Sequence, residues 1–368
     1  MKFGFLLFAL PFLLLIALAS MVVLNSGVAF GIIRTVSVKK IVTWVLVLMP
    51  IVLVLTMMIG ARVYSGINTF FYLITVTWLP LLLYLCMGAL LLYLIQIITV
   101  ATGHHLTMYP LALGVIFISL GAVTFGIINA TMPRIVNYTI SSPALAPDWS
   151  GKNIILVSDT HLGIVRSRSF MEKVVAKINS VKPDLVLVAG DIIDGPVFNY
   201  AEGLSPLKKI RSTYGVIYTP GNHEGYNSEP EKFYPIVKSL TTTLIDERTR
   251  IGNTDIIGLN YQMQNASATQ TQLAGSGFTP GTPTIALLHD PKNARTLLDA
   301  GVSLVVSGHT HCGQFFPLNL LVKKIYKEYT YGVTTINGNT AITTCGVGTA
   351  MSPLRIGTNP EIVVIRIQ

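Results

Sequence analysis

The acidic residues of this chain are confined to its later part. All 17 Asp and Glu residues lie at or after Asp148, whereas the first 147 residues carry only six Lys or Arg among long apolar runs. Because charged side chains are costly to place in hydrocarbon, this distribution predicts that the first part of the chain lies in a membrane. The remainder carries all of the acidic residues and most of the basic ones and is predicted to fold in water.

Four apolar runs are long enough to cross a bilayer, which takes about 20 helical residues. The third run exceeds one upright helix and contains Pro80, so it is predicted to be tilted, kinked or interfacial at its start, and a fifth span is the alternative. No Asp, Glu, Lys or Arg lies deep inside the runs, which favours an anchor over a transport pathway. The four runs are 3–24, 41–58, 70–100 and 111–128.

The orientation in the membrane is predicted from the basic loops. The most basic loop carries Arg34, Lys39 and Lys40, which places it in the cytoplasm and residues 132–368 on the extracytoplasmic face of a multi-pass cell-membrane protein. Cleavage at a signal-peptidase-like sequence at 17–20 would leave three spans and invert this assignment. The evidence against the extracytoplasmic orientation is a set of three basic residues in separate places: Lys2, Arg62 and Arg134.

The later part of the chain alternates short apolar runs with helix-type spacing and ends in strand-type runs around a hairpin signal at Asn337-Gly338. This pattern predicts an α/β sandwich, with two mixed β-sheets flanked by helices, after the multi-span helical domain. We assign residues 1–131 to a transmembrane anchor domain of about four helices, 132–152 to a polar linker and 153–368 to a catalytic domain.

All five histidines after residue 148 lie in turns that follow apolar strands, together with Asp and Asn. Carboxyl ends of strands are where α/β folds gather their ligands, so these turns predict one metal site with Asp191 at its centre. Mixed oxygen and imidazole ligands suit Mn, Fe or Zn and argue against a thiolate zinc site. The turns are Asp159-x-His161, Gly190-Asp191-x-x-Asp194, Gly221-Asn222-His223-Glu224, His289 and Gly308-His309-x-His311.

These motifs, in this order, resemble the calcineurin-like metallophosphoesterase family over residues 153–368. The tail from Gly346-Val347-Gly348-Thr349 through Pro353-Leu354-Arg355 to Pro360-Glu361-Ile362 is similar to its bacterial membrane-associated or exported branch, which also hydrolyses phosphodiesters. The resemblance implies a hydrolase that acts on phosphoesters by attack of a metal-bound hydroxide. No position of the motifs is missing.

The resemblance also implies a role for each motif residue. One divalent ion would be held by Asp159, His161, Asp191 and His311, and a second by Asp191, Asn222, His289 and His309, with Asp191 bridging. His223 would be catalytic, stabilising the phosphoryl charge or protonating the leaving oxygen.

Further positions near the motifs allow more than one interpretation. Asp194 is expected to orient ligands or cap a turn, and Glu224 to cap the next turn or to contact a metal ligand without binding the ion itself. Arg355 is expected to bind substrate phosphate, with a surface ion pair as the alternative. Cys312 and Cys345 are either bonded or free, since three cysteines give no disulfide framework.

The predicted partners are a phosphoester substrate, lipid-linked or from the envelope, and membrane lipid. Residues 148–368 carry 20 basic and 17 acidic residues, a balance of only +3, which does not indicate nucleic-acid binding.

Two alternative functions stay open. One is a phosphomonoesterase or nucleotidase, and the other is a non-catalytic membrane sensor or scaffold. The apolar and basic segment 315–324 is either a lip on the membrane surface or a packed element.

Overall fold

A computed structural model describes residues 2–60, 66–194, 199–227, 229–261 and 265–368 of the chain. Arg62, one of the basic residues used for the orientation, lies outside these described residues. The chain divides into two compact units, Met1–Gly126 and Ile127–Gln368. The domain boundaries predicted from the sequence stay a prediction.

The first unit is built from four helices that are long and apolar enough to cross a membrane. Apolar side chains from the first three pack together, with Ile16, Leu46, Trp78 and Leu82 at the centre. The third helix is continuous over 36 residues and contains Pro80. The helices are α1 (Lys2–Ala29), α2 (Val36–Gly60), α3 (Gly66–Ala101) and α4 (Met108–Asn129).

The second unit contains two six-stranded sheets and one two-stranded sheet. Its strands are β1 (Arg134–Ile140), β2 (Ile154–Val157), β3 (Leu162–Gly163), β4 (Leu185–Ala189), β5 (Ile193–Asp194), β6 (Val216–Thr219), β7 (Thr242–Thr243), β8 (Glu247–Ile251), β9 (Thr254–Leu259), β10 (Thr284–Leu288), β11 (Leu304–Ser307), β12 (Gly332–Ile336), β13 (Asn339–Thr343) and β14 (Glu361–Ile367).

Eight helices accompany these strands in the described part of the second unit. They are α5 (Ala146–Trp149), α6 (Arg168–Ser180), α7 (Tyr200–Leu204), α8 (Asn222–Tyr226), α9 (Pro230–Lys238), α10 (Ala266–Gly275), α11 (Ala294–Asp299) and α12 (Leu318–Tyr326).

Both large sheets are mixed, as the sequence predicts. The first has the order β1-β14-β2-β4-β6-β7, in which β2, β4, β6 and β7 run parallel and β14 lies antiparallel to β2. The second has the order β12-β13-β11-β10-β9-β8, with a parallel centre and an antiparallel strand at each edge. At the predicted hairpin, Asn337 and Gly338 take the positive φ angles that a tight turn between β12 and β13 requires.

Side chains alternate between the two faces of each large sheet, and each face belongs to a different core. Ile154 and Leu156 of β2 face a core shared by the two sheets, whereas Ile155 and Val157 face a core formed with α6, α7 and α9. A third core lies between the second sheet and helices α10 and α11. The layers are therefore helix, sheet, sheet, helix, and the predicted α/β sandwich is confirmed.

Two segments differ from what the sequence suggests. Residues 134–140, placed in the predicted linker, form edge strand β1, which pairs with β14 over its whole length. The Ser/Thr/Gln/Gly-rich residues 266–281 are expected to be a loop, but Ala266–Gly275 is helix α10, whose N-cap Asn265 accepts a hydrogen bond from the Ala268 amide. Its alanine and glutamine residues favour a helix, and burial of Leu273 against the second sheet stabilises it.

Candidate active site

The predicted turns all lie at the carboxyl ends of parallel strands. They follow β2, β4 and β6 of the first sheet and β10 and β11 of the second, so the sandwich brings both sheet edges to one place. Five of the residues in these turns have φ between 46° and 68°, a region that L-residues rarely adopt and that a surrounding structure must enforce. These residues are Asp159, His161, Asp191, His309 and His311.

Two glycines allow the turns to approach one another closely. A Cβ atom on Gly221 would overlap the Asp191 carboxylate, and one on Gly308 would overlap Ser158 and the Asp159 carboxylate. Gly221 and Gly308 are therefore required by space, since any side chain would push the turns apart.

A first cluster of potential ligands contains Asp159, His161 and His311, all buried. The Nε2 atoms of His161 and His311 are 3.0 Å apart. The Nε2 of His311 lies 3.4 Å from Asp159 Oδ1, and that of His161 lies 3.8 Å from the same oxygen.

A second cluster contains Asp191, His289 and His309. His289 Nε2 lies 3.1 Å from both Asp191 Oδ2 and Asn222 Oδ1, and 3.2 Å from His309 Nδ1. The same Asp191 oxygen is 3.8 Å from His161 Nε2 in the first cluster. Asp191 thus faces both clusters, which is the place of a bridging ligand.

These donors fit divalent metal ions. Two imidazole nitrogens at 3.0 Å can share at most one hydrogen, and the carboxylates beside them offer only lone pairs, so the donors repel one another without a cation between them. Separations of about 3–3.5 Å are those expected between ligands whose bonds to one ion are about 2.0–2.2 Å long. The donor set of nitrogen and carboxylate oxygen suits Zn, Fe or Mn.

The charges around the site also favour cation binding. Burial opposes ionisation of Asp159 and Asp191, but the neighbouring histidines hold the pKa of both carboxyls below the usual range. Burial lowers the pKa of His311 and, together with the charge of His289, that of His309, so both stay in the neutral form that binds metals. Burial lowers the pKa of His289, but Asp191 and Asp159 raise it to about 10, so these carboxylates favour a positive charge at this position, from a proton or from a bound ion.

His223 lies beside the enclosed ligands, with its ring centroid 4.5 Å from that of His161, and it forms a third group of potential ligands with His161 and Asp194. Its side chain is 26% exposed, whereas those of His161 and His289 are fully buried. Its Nδ1 lies 3.0 Å from Asp194 Oδ1, and its backbone amide donates to Asp191. Burial lowers the pKa of His223, but the hydrogen bond with Asp194 and the charge of Asp191 raise it to about 9. Asp194 therefore orients the His223 ring and favours its protonated form.

Glu224 links the start of its own helix to the turn that carries Asp191. Its buried carboxylate accepts a hydrogen bond from Gly221 at the start of α8 and three more from the consecutive amides of Asp191, Ile192 and Ile193. The side chain therefore caps its own helix and holds the turn that carries Asp191.

Arg355 does not contact solvent, in contrast to both expectations from the sequence. It is fully buried and donates hydrogen bonds to four carbonyl groups, those of His311, Cys345, Gly346 and Gly348. Its terminal nitrogen also lies 3.2 Å from His311 Nδ1. A guanidinium engaged in this way supports the loops beneath His311, so neither the substrate contact nor the surface ion pair describes it.

Cys312 and Cys345 form a disulfide. The bond joins the turn that carries His311 to the segment after β13. It resolves the open question from the sequence in favour of the bonded form.

Three tyrosines near the candidate site residues are not anticipated by the sequence motifs. Tyr226 contacts the His223 ring with centroids 5.8 Å apart, Tyr261 lies 5.9 Å from His309, and Tyr326 of α12 lies 6.2 Å from His309. No local motif marks Tyr261 or Tyr326, because only the tertiary fold brings them to the histidines.

Residues 152–313 match the sequence model of the calcineurin-like phosphoesterase family, which covers all of the motif turns. The chain contains a calcineurin-like metallophosphoesterase domain. An uncharacterized metallophosphoesterase of Helicobacter pylori strain J99 is 34% identical over 220 residues, 58% of this chain and 59% of that protein. A transmembrane protein with metallophosphoesterase domain from Bos taurus is 31% identical over 265 residues, 66% of this chain and 59% of that protein.

The matches thus span 59% of the length of these two curated relatives, which come from a bacterium and an animal. Among solved structures, the protein TT1561 of Thermus thermophilus aligns with a TM-score of 0.38 and 10% identity, covering 53% of this chain and 91% of that one. The family match and the candidate ligand clusters both lie in the second unit, which follows apolar helices typical of a membrane protein.

Proposed function

We propose that the chain is a membrane-anchored phosphodiesterase with a dinuclear metal site. The observation that carries the proposal is the convergence of two ligand clusters on Asp191, in which His161 and His311 from opposite sheets lie 3.0 Å apart and His289 lies 3.1 Å from Asp191. One ion would be held by Asp159, His161, Asp191 and His311. The other would be held by Asp191, Asn222, His289 and His309.

When bound, two divalent ions supply Lewis acidity toward the phosphoryl oxygens and a water activated for in-line attack. Manganese, iron and zinc are the candidates. The chain's own contribution is to fix the positions of the donor atoms. The positive φ angles of the ligand turns orient the side chains. Glu224 stabilises the turn that carries Asp191, and Arg355 stabilises the loops beneath His311.

His223 is the candidate catalytic acid. Asp194 binds its Nδ1 and keeps the ring protonated near neutral pH, so that the other ring nitrogen can donate a proton to the leaving oxygen or stabilise charge on the phosphoryl group. Its partial exposure supports a role in contacting substrate and not in enclosing an ion.

The catalytic domain is proposed to face the extracytoplasmic side. The basic loop with Lys39 and Lys40 supports this orientation. The Cys312–Cys345 disulfide supports it independently, because disulfides persist mainly in oxidising compartments.

The test of the reaction class is a comparison of two soluble aryl substrates with the full-length protein in detergent. We expect Mn²⁺-dependent hydrolysis of methyl p-nitrophenyl phosphate, a diester, to exceed that of p-nitrophenyl phosphate, the matching monoester. Turnover of the monoester alone would replace the proposal by a phosphomonoesterase or nucleotidase. Bound metal without turnover of either substrate would favour a non-catalytic role.

A further inference from the structure

The surface beside the active site carries an unusual group of exposed apolar side chains. Among the described residues after 131, ten large apolar side chains are exposed, and five of them lie within ten residues of sequence. These five form the apolar patch of α12 and its preceding loop: Phe316, Leu318, Leu320, Leu321 and Ile325. Helix α12 has no buried residue at all.

The patch has the pattern of a helix that lies in a membrane interface. Leu318, Leu321 and Ile325 follow one another at helical spacing and form a continuous outward stripe. Lys323 and Lys324 lie in the last turn of the helix and Lys327 follows it, all exposed. Apolar side chains flanked by lysine suit the boundary between acyl chains and anionic headgroups.

The position of α12 within the second unit also points to a membrane surface. Asn129, the last residue of apolar helix α4, donates hydrogen bonds to the carbonyls of Arg355 and Thr358. The same segment accepts a hydrogen bond from the Phe316 amide at Ile356. The loop that leads into α12 is therefore joined, through 355–358, to Asn129 near the start of the second unit.

Helix α12 is rigidly connected to the metal ligands at its other side. Only six residues separate His311 from the start of α12, and the Cys312–Cys345 disulfide fixes the loop between them. The helix packs so closely on Gly313 that a Cβ there would overlap Asn319. At the end of the helix, Tyr326 contacts the His309 ring.

We propose that α12 and Phe316 dock on an anionic lipid surface and present phosphoesters embedded in that surface to the metal site. The apolar stripe enters among the acyl chains, the lysines contact anionic headgroups, and Tyr326 lies between this surface and His309. The substrate class that follows is a phosphoester whose apolar part stays in the bilayer. This inference rests on the proposed phosphodiesterase function, and its docking component can be measured without turnover.

Docking is tested with the full-length protein in nanodiscs of phosphatidylcholine and phosphatidylglycerol that contain lipids with nitroxide-labelled acyl chains. The fluorophore NBD is attached at Leu321→Cys in a Cys86→Ser background, and at Glu247→Cys on exposed strand β8 as the matched control. We expect strong nitroxide quenching at position 321 and little at position 247. Equal quenching at the two positions, or quenching of neither, would overturn the docking.

Presentation of substrate is tested with two diesters that share one scissile bond. One is soluble methyl p-nitrophenyl phosphate, and the other is a diacylglycerol p-nitrophenyl phosphate embedded in the same nanodiscs. For the double variant Leu321→Glu/Ile325→Glu, we expect hydrolysis of the lipid diester to fall about tenfold or more, since two apolar side chains no longer enter the bilayer, while the soluble diester is hydrolysed as by wild type. Leu321→Met/Ile325→Leu is expected to keep both activities.

The remaining outcomes distinguish the docking of α12 on lipid from its role in presenting substrate. Unchanged hydrolysis of the lipid diester by the glutamate variant, or an equal loss of both activities, would overturn the presentation role of α12. If wild type hydrolyses neither diester, the proposed function fails, whereas the quenching measurement still decides whether α12 docks on lipid.

Discussion

At the scale of single residues, the pairing of His223 with Asp194 determines when the candidate acid is protonated. The rate of a step that needs protonated His223 falls as the pH rises through its pKa, which the Asp194 hydrogen bond and the Asp191 charge raise to about 9 against the effect of burial. Asp194 is close enough to dominate this shift, since its Oδ1 lies 3.0 Å from the ring.

Asp194→Asn is therefore expected to lower the pKa of His223. The alkaline limb of the kcat profile should move to lower pH by about one unit or more, because a carboxylate at hydrogen-bond distance shifts a pKa by about that amount. The measurement is kcat against pH with an alkyl phosphodiester, whose leaving oxygen needs a proton. Asp194→Glu, which keeps the charge, is the control, and an unshifted limb in Asp194→Asn would exclude His223 as the acid.

Single residues also mark where prediction from the sequence ends. The histidine and aspartate ligands are identifiable because their turns follow apolar strands in a family-specific order. The environment of Arg355 is not, because the four carbonyls it binds belong to residues 311–348 and meet only in the folded protein. Tyr261 and Tyr326 escape prediction for the same reason, since neither lies in a motif.

At the scale of elements, Glu224 connects α8 to the turn after β4. Hydrogen bonds to a buried carboxylate contribute about 1.5–3 kcal/mol each at most, and a glutamine amide would place an N–H group against backbone donors. Because these hydrogen bonds join the elements that carry Asn222 and Asp191, their loss is expected to destabilise both elements.

Glu224→Gln is expected to destabilise the second unit by about 2 kcal/mol and to lower its thermal midpoint by about 5 °C. The measurement is thermal unfolding of the metal-free full-length protein in detergent. Glu247→Gln removes an exposed carboxylate from β8 and is expected to leave the midpoint within about 1 °C of wild type. An unchanged midpoint in Glu224→Gln would show that the four hydrogen bonds do not hold the turn.

The structure contains the elements that periodicity predicts. It also contains elements that the sequence does not predict, because they depend on tertiary contacts. The strands that end in ligands are clear in the sequence because both of their faces are buried. Strand β1 falls in the predicted linker because it is an edge strand with mostly partial burial, and its partner β14 lies more than 200 residues later in the chain. Helix α10 is missed because its few apolar residues show no helical periodicity, although its Ala and Gln residues favour a helix.

For the whole molecule, the side of the membrane on which the second unit lies determines which phosphoesters can reach the proposed metal site. We expect a C-terminal alkaline phosphatase fusion of the full chain in a bacterial cell to be active and a C-terminal fusion to green fluorescent protein to be dark, since the first folds only outside the cytoplasm. Arg34→Glu/Lys39→Glu/Lys40→Glu is the informative variant, because removing the basic loop should weaken this orientation. A fluorescent wild-type fusion would place the catalytic domain in the cytoplasm.

The central claim is that Asp191 bridges two metal ions while His223 acts on substrate. The direct measurement is metal content beside Mn²⁺-dependent hydrolysis of an alkyl phosphodiester, whose leaving oxygen needs a proton, for full-length wild type, Asp191→Asn and His223→Ala. We expect about two divalent ions per chain in wild type, loss of metal and turnover in Asp191→Asn, and retained metal with a loss of turnover of about a hundredfold or more in His223→Ala. Full metal content and turnover in Asp191→Asn would contradict the account.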